Sequence, residues 1–209
     1  MQQSELINRF TEKAQAVQAK VHQVQNMQQA LENTVQACSQ KQACQVLASG
    51  CNLDLSPEAK DLCGLKSWER IMAAPNLDQS SLEILQDLCR EKNIALIQQG
   101  LHSHLGGIDL GLSLAEFGLA ETGSIVQDSG QEDLRLATMI SEIHVALLPA
   151  SRIYQSSFDL EQQMQKIFSR PAAYLAFITG ASRTADIERV LTLGVHGPLE
   201  LQIMILMDA

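Results

Sequence analysis

Short apolar runs alternate with amphipathic stretches along the second half of the chain, and that alternation constrains the fold more than any other feature. Segments 94–97, 108–114, 124–126, 143–148, 174–179 and 201–206 read as strands. Several are apolar at nearly every position, as expected of strands buried on both faces of a parallel sheet. The stretches between them carry a helical period. In 80–93, Leu82, Leu85, Leu88 and Cys89 share one face, Ser80 and Glu83 are spaced as a capping box, and Asn93 is a natural stop. In 156–168, Leu160, Met164 and Ile167 point inward, and 185–193 reads as a further helix. The expected fold class is α/β, a mostly parallel sheet with helices on both faces.

The first part of the chain reads differently. Ile7, Phe10, Ala14, Val17, Val21, Val24, Leu31 and Val35 follow three- and four-residue steps, broken by Gln28, and predict one long helix over 4–36. Such a seam suits either packing on its own domain or contact with a second copy or partner. The expected organisation is therefore a helical arm over 1–36 and an α/β domain over 37–209, without an internal repeat. Within the latter, Ser56-Pro57-Glu58 suggests a helix start, and Trp68 reads as a packing residue ahead of a break at Ala74-Pro75.

With 209 residues, 45% of them hydrophobic, the chain can bury one sizeable core. Its formal net charge of −9 and dispersed Lys and Arg disfavour nucleic acid and anionic lipid, although one local cationic site can still hold a small anion. No apolar run approaches the roughly 20 residues of a membrane-spanning helix. The glutamine-rich start does not read as a secretory signal, so the expected location is the cytoplasm. Cys38, Cys44, Cys51, Cys63 and Cys89 are odd in number and lack Cys-x-x-Cys spacing, which favours free thiols over a metal cluster.

The residues suited to chemistry gather late in the chain. Gly180-Ala181-Ser182-Arg183-Thr184-Ala185-Asp186-Ile187-Glu188 falls where a strand is expected to end and a helix to begin. Free N–H groups at a helix start, the Ser182 and Thr184 hydroxyls, and the Arg183 guanidinium would make an anion site, with Gly180 allowing close backbone approach. The same residues also suit a capped helix with Arg183 paired to Asp186 or Glu188. Gly194-Val195-His196-Gly197-Pro198 presents His196 on a tight turn, as an acid–base group or as a turn histidine bonded to carbonyls. Glu121, in Ala120-Glu121-Thr122-Gly123-Ser124, follows an apolar stretch and could serve as a base, acid or nucleophile, or be paired with Arg183 or a backbone amide. His102 and His104 would face the same way on a strand near Asp109, a weak hint of a metal site without a third spaced ligand. His144, inside a strand, reads as a core or edge histidine. No phosphate loop, dinucleotide fingerprint or nucleophile elbow is present.

Glu121-Thr122-Gly123, the run from Gly180 to Glu188, and Gly194-Val195-His196-Gly197-Pro198 resemble, in order, the motifs of the lactate-utilisation (LUD) domain family, in its short protein C branch. Ser124 stands where threonine is common, and Ala181 where proline is common. The resemblance implies a three-layer α/β/α sandwich with a mostly parallel sheet, similar to sugar-phosphate isomerases and coenzyme A transferases. It also implies a cytoplasmic subunit of a system oxidising L-lactate to pyruvate. In that setting Glu121 and His196 would be catalytic, and Gly180, Ser182, Arg183, Thr184, Asp186 and Gly197 would bind a small carboxylate. No cofactor is expected in this chain; iron–sulfur clusters would reside in partner proteins. Alternatives are a non-catalytic scaffold for those partners, or an independent acyl-transfer or isomerase enzyme acting on a small anion.

Overall fold

The computed structural model describes residues 2–41, 70–104, 107–184, 192–193 and 197–208, with residues 184, 192 and 193 described in their backbone alone. Ser56-Pro57-Glu58, Trp68, Cys44, Cys51 and Cys63 lie outside the described residues.

The expected long N-terminal helix is corrected to helix α1 (Gln3–Ala16), strand β1 (Lys20–Val24) and helix α2 (Met27–Gln40). The break falls at Gln18, whose φ of 67° reverses the chain. Asn26 then restarts a helix by accepting the Gln29 amide on its side chain. The three-and-four spacing that suggested one helix arises because Phe10 and Ala14 of α1, Val24 of β1, and Leu31 and Val35 of α2 are all buried in the domain core. Instead of projecting as an arm, the first 40 residues build an edge of the main sheet and part of both covering layers.

After α2 come β2 (Arg70–Ala73), α3 (Gln79–Glu91), β3 (Ile94–Ile97) and β4 (Ile108–Leu114). Asp78 caps α3, accepting the Ser81 amide at 2.9 Å and the Ser80 and Ser81 hydroxyls; these bonds hold its carboxyl down at about 2. This corrects the expected Ser80–Glu83 capping box. Asn93 does follow the helix end, at φ 54°.

The chain continues through β5 (Phe117–Leu119), β6 (Ser124–Asp128), α4 (Glu132–Ile140), β7 (Ser141–Pro149), β8 (Ile153–Tyr154), a 3-10 turn (Ser157–Leu160) and α5 (Glu161–Phe168). Then follow β9 (Leu175–Ile178), β10 (Arg183–Thr184), β11 (Thr192–Leu193) and β12 (Glu200–Leu206). The main sheet has the order β1-β12-β7-β4-β2-β3, and every pairing in it is parallel.

Alternating residues on its central strands feed two cores. Val145, Leu147, Met204 and Leu206 meet α2 and α3 on one face, while Ala146, Leu148, Ile203 and Ile205 meet α1 and the second sheet on the other. The expected α/β architecture is thus present, with layers on both sides of a parallel sheet.

The second sheet was not anticipated. It has the order β8-β5-β6-β9, and β9 runs antiparallel to β6. The segment expected at 174–179 therefore forms an edge strand of this smaller sheet instead of a member of the parallel one. α4 closes the same face beside it. At Gly111 of β4 an added Cβ would come within 2.1 Å of the Ala137 carbonyl, so α4 lies directly on the strand.

Candidate functional site

Where β9, α4 and the main sheet meet, they leave a cavity of about 240 Å³. Arg135, Thr138 and Met139 line it from α4, His144 from β7, Leu201 from β12, and Ala176 and Ile178 from β9. Ser129, Tyr174, Gly180, Ser182, Gly197 and Pro198 complete the wall. The two late motifs come together here: the Ser182 amide donates to the Pro198 carbonyl at 3.0 Å. Of the residues expected from the sequence, Gly180, Ser182 and Gly197 line the cavity.

The others are placed differently. Arg183 is exposed on β10, which pairs with β11, and does not line the cavity. Of the expected 185–193 helix, Thr192–Leu193 is strand instead, and 185–191 lie outside the described residues. Thr184 is described in its backbone alone, and Asp186 and His196 lie outside the described residues. Glu121 is half-buried on the turn between β5 and β6, where its Oε1 accepts the Ser157 amide at 3.2 Å, the backbone-amide alternative noted for it. Gly180 has φ 78°, and an added Cβ would lie 2.2 Å from the Val17 carbonyl oxygen. Its lack of a side chain lets the end of β9 pass the turn after α1. Close approach is the right reason for this glycine, but the approaching atoms belong to the chain itself.

Two cavity groups missed in the sequence hold unspent capacity. The half-buried Arg135 donates from Nη1 to the Ser129 carbonyl at 2.7 Å and the Gly130 carbonyl at 3.0 Å. Among the described residues it faces no carboxylate partner. His144 is 1% exposed, with Nε2 2.8 Å from the Ser113 hydroxyl, and Nδ1 forms no hydrogen bond among the described residues. Burial pushes its imidazole down to about 4, so it is neutral at pH 7. The sequence reading of His144 as a core histidine is half right: it is buried and bonded, yet it also walls a cavity.

A second cavity, about 410 Å³, opens near the carboxyl end of β4 beside Leu114, Glu116, Asp128 and Arg170. Ligands in open α/β sheets favour that end. Its charges, however, are already matched, Arg170 with Asp128 at 3.1 Å and Glu116 with Arg152 at 3.7 Å. The cation at Arg135, without a carboxylate partner among the described residues, decides for the smaller cavity.

A LUD domain model matches residues 7–206. The chain belongs to the LUD domain family. Among relatives of this LUD domain, the Lactate utilization protein C of Geobacillus thermodenitrificans (strain NG80-2) is 28% identical over 135 residues, covering 63% of this chain and 52% of the relative. The Bacillus subtilis (strain 168) protein of the same name is 31% identical over 104 residues, covering 48% of this chain and 43% of the relative. The matched part thus spans about half the length of these relatives. In fold, the LUD domain is similar to the crystal structure of a duf162 family protein from Deinococcus radiodurans, with a TM-score of 0.59 at 15% identity over 99% of both chains.

Other groups in this LUD domain serve packing. Burial pushes the Cys38 thiol up to about 12 and Cys89 up to about 11, which leaves both unreactive. His102 and His104 sit on a 3-10 turn (Leu101–His104) instead of the expected strand. The Asp109 carboxylate is buried against the Lys41 ammonium at 3.0 Å, and Lys41 also reaches Glu142 at 2.5 Å. Among the described residues, no three of His, Cys, Asp and Glu gather as a metal site. No helix of the described residues is long and apolar enough to cross a membrane.

Proposed function

We propose that this LUD domain takes part in lactate utilisation by binding a small carboxylate in the cavity between α4, β7 and β9, with Arg135 as its cationic anchor. The observation that carries this reading is the half-buried guanidinium without a carboxylate partner among the described residues, in the same wall as a neutral histidine with a free ring nitrogen. A buried charge without a counter-ion is costly. A carboxylate ligand would supply the missing charge and accept the guanidinium's remaining N–H donors. The volume, about 240 Å³, lies below the roughly 300–1,000 Å³ typical of drug-sized ligands and suits a molecule of a few heavy atoms. The names of the Lactate utilization protein C relatives point to the same chemical class.

In this reading L-lactate loses two electrons and two protons to become pyruvate. With Nε2–H donated to Ser113, His144 Nδ1 would accept a hydrogen bond from the substrate hydroxyl and orient it. Partner proteins carrying iron–sulfur clusters would supply the oxidant, accepting the two electrons, and both protons would be released to solvent. Ser182 and Gly197 line the same cavity, and His196, adjacent to Gly197 in sequence, is a candidate to assist. A melting panel tests the proposal: L-lactate and pyruvate raise the melting temperature by mass action, whereas sugar phosphates and coenzyme A thioesters leave it unchanged. Protection by the phosphates or thioesters alone would favour the transferase or isomerase alternative.

A further inference from the structure

The outer edges of the two larger sheets are β1, β3, β8 and β9. Proteins guard such edges with charge, brevity or cover. β1 exposes Lys20, His22 and Gln23, β8 is two residues long, and no residue of β3 is exposed. β9 differs. Residues 171–182, which contain it, hold no charged side chain, and Tyr174 and Phe177 are 55% and 49% exposed. The pairing with β6 fixes which backbone groups of β9 remain open. The Ser129 amide donates to the Tyr174 carbonyl at 2.7 Å, and in an antiparallel ladder bonded pairs alternate with unbonded ones. Ala176 opposite Gln127 and Ile178 opposite Ile125 therefore bond to β6, whereas the amides and carbonyls of Leu175 and Phe177 point away from it. Among the described residues no strand meets them. Such a row is a template for one more strand.

Charge says what kind of strand. An exposed arginine stands at each end of the uncharged stretch, Arg170 and Arg183. Arg170 bonds Asp128 at 3.1 Å and is still 62% exposed. Two copies of this domain paired antiparallel through β9 would bring an arginine against an arginine at both ends, which is unfavourable. We propose that β9 receives an extended segment of a protein partner as a fifth strand of the second sheet, with an apolar centre against Phe177 and acidic residues at both ends. Because both flanks carry the same sign, the segment can run in either direction.

Fluorescence anisotropy of two labelled peptides with the full chain tests this, Asp-Glu-Val-Thr-Val-Thr-Val-Glu-Asp and Lys-Lys-Val-Thr-Val-Thr-Val-Lys-Lys. The acidic peptide should bind about tenfold more tightly. Phe177→Pro removes an outward amide and spares the bonds to β6. It should bind the acidic peptide about tenfold more weakly than Phe177→Thr, which keeps that amide. Arg183→Glu should remove most of the preference for acidic ends, and it decides the matter if the proline variant fails to fold. Failure of both peptides to bind, equal affinity for the two, or a preference unchanged in Arg183→Glu overturns the proposal. Undiminished binding in a folded Phe177→Pro overturns strand addition. Sedimentation of the chain as a dimer that the acidic peptide does not dissociate would place a second copy on this edge and overturn the proposed occupant.

Discussion

Acid should unfold the ligand-free protein in part through His144. Its imidazole is held neutral by burial, with the folded value down at about 4 against the ordinary 6.5. In the unfolded chain the ring takes a proton as pH falls through 6.5; in the folded chain it resists until about 4. Between those values the unfolded state binds more protons, so stability declines as pH drops, at up to about 1.4 kcal/mol per pH unit. At pH 5 the loss from this group is about 2 kcal/mol, and at pH 4 about 3 kcal/mol. For a domain of this size 2 kcal/mol corresponds to a melting shift of roughly 4–8 °C. Carboxylates titrate in the same window, so the comparison is with His144→Gln, which keeps a polar group for Ser113 and removes the titration. Urea unfolding of both proteins at several pH values between 7 and 4.5 should show the wild-type falling toward the variant by this amount. Saturating L-lactate should flatten the wild-type curve, because an anion beside the ring favours its protonated form. A difference between wild-type and variant that stays constant from pH 7 to 4.5 would refute the reasoning.

Three further outcomes follow from the packing and the site. Gly180→Ala combines a left-handed backbone with a Cβ 2.2 Å from the Val17 carbonyl oxygen; it should cost roughly 2–4 kcal/mol in chemical unfolding, whereas a glycine reserved for a ligand would leave stability unchanged and reduce binding alone. Lys41→Met leaves Asp109 and Glu142, 2% and 5% exposed, without their shared cation, and should destabilise the fold by about 3–5 kcal/mol in thermal or urea melts. Arg183→Ala, at an exposed position outside the cavity, should leave both melting temperature and lactate affinity unchanged in titration; a large loss of affinity would return the anion site to the 180–188 segment.

The parallel sheet was legible because its strands carry short, dense apolar runs between amphipathic stretches, and periodicity reports that directly. Strands 108–114 and 201–206 needed no other signal. The N-terminal helix was misread because α1 and α2 flank a strand that inserts at the sheet edge, and buried positions in all three happen to keep a helical spacing; only the left-handed Gln18 marks the first break. The second sheet was invisible because β5 and β8 are three and two residues long. For the site, Gly180, Ser182 and Gly197 of the two glycine-bearing motifs converge on one cavity. The side chains of the proposed site were not legible, for a physical reason. Arg135 sits in an ordinary amphipathic helix and His144 in an apolar strand, and only their approach across α4 and β7 shows one cation unmatched and one ring nitrogen unspent.

The most direct measurement is the affinity of L-lactate for the full chain and for Arg135→Gln, which keeps an N–H for the Ser129 carbonyl and removes the charge. A charge-assisted pair predicts a loss of roughly 10- to 100-fold in the variant with its fold retained. Equal affinity in the two proteins would contradict the cavity between α4, β7 and β9 as the carboxylate site.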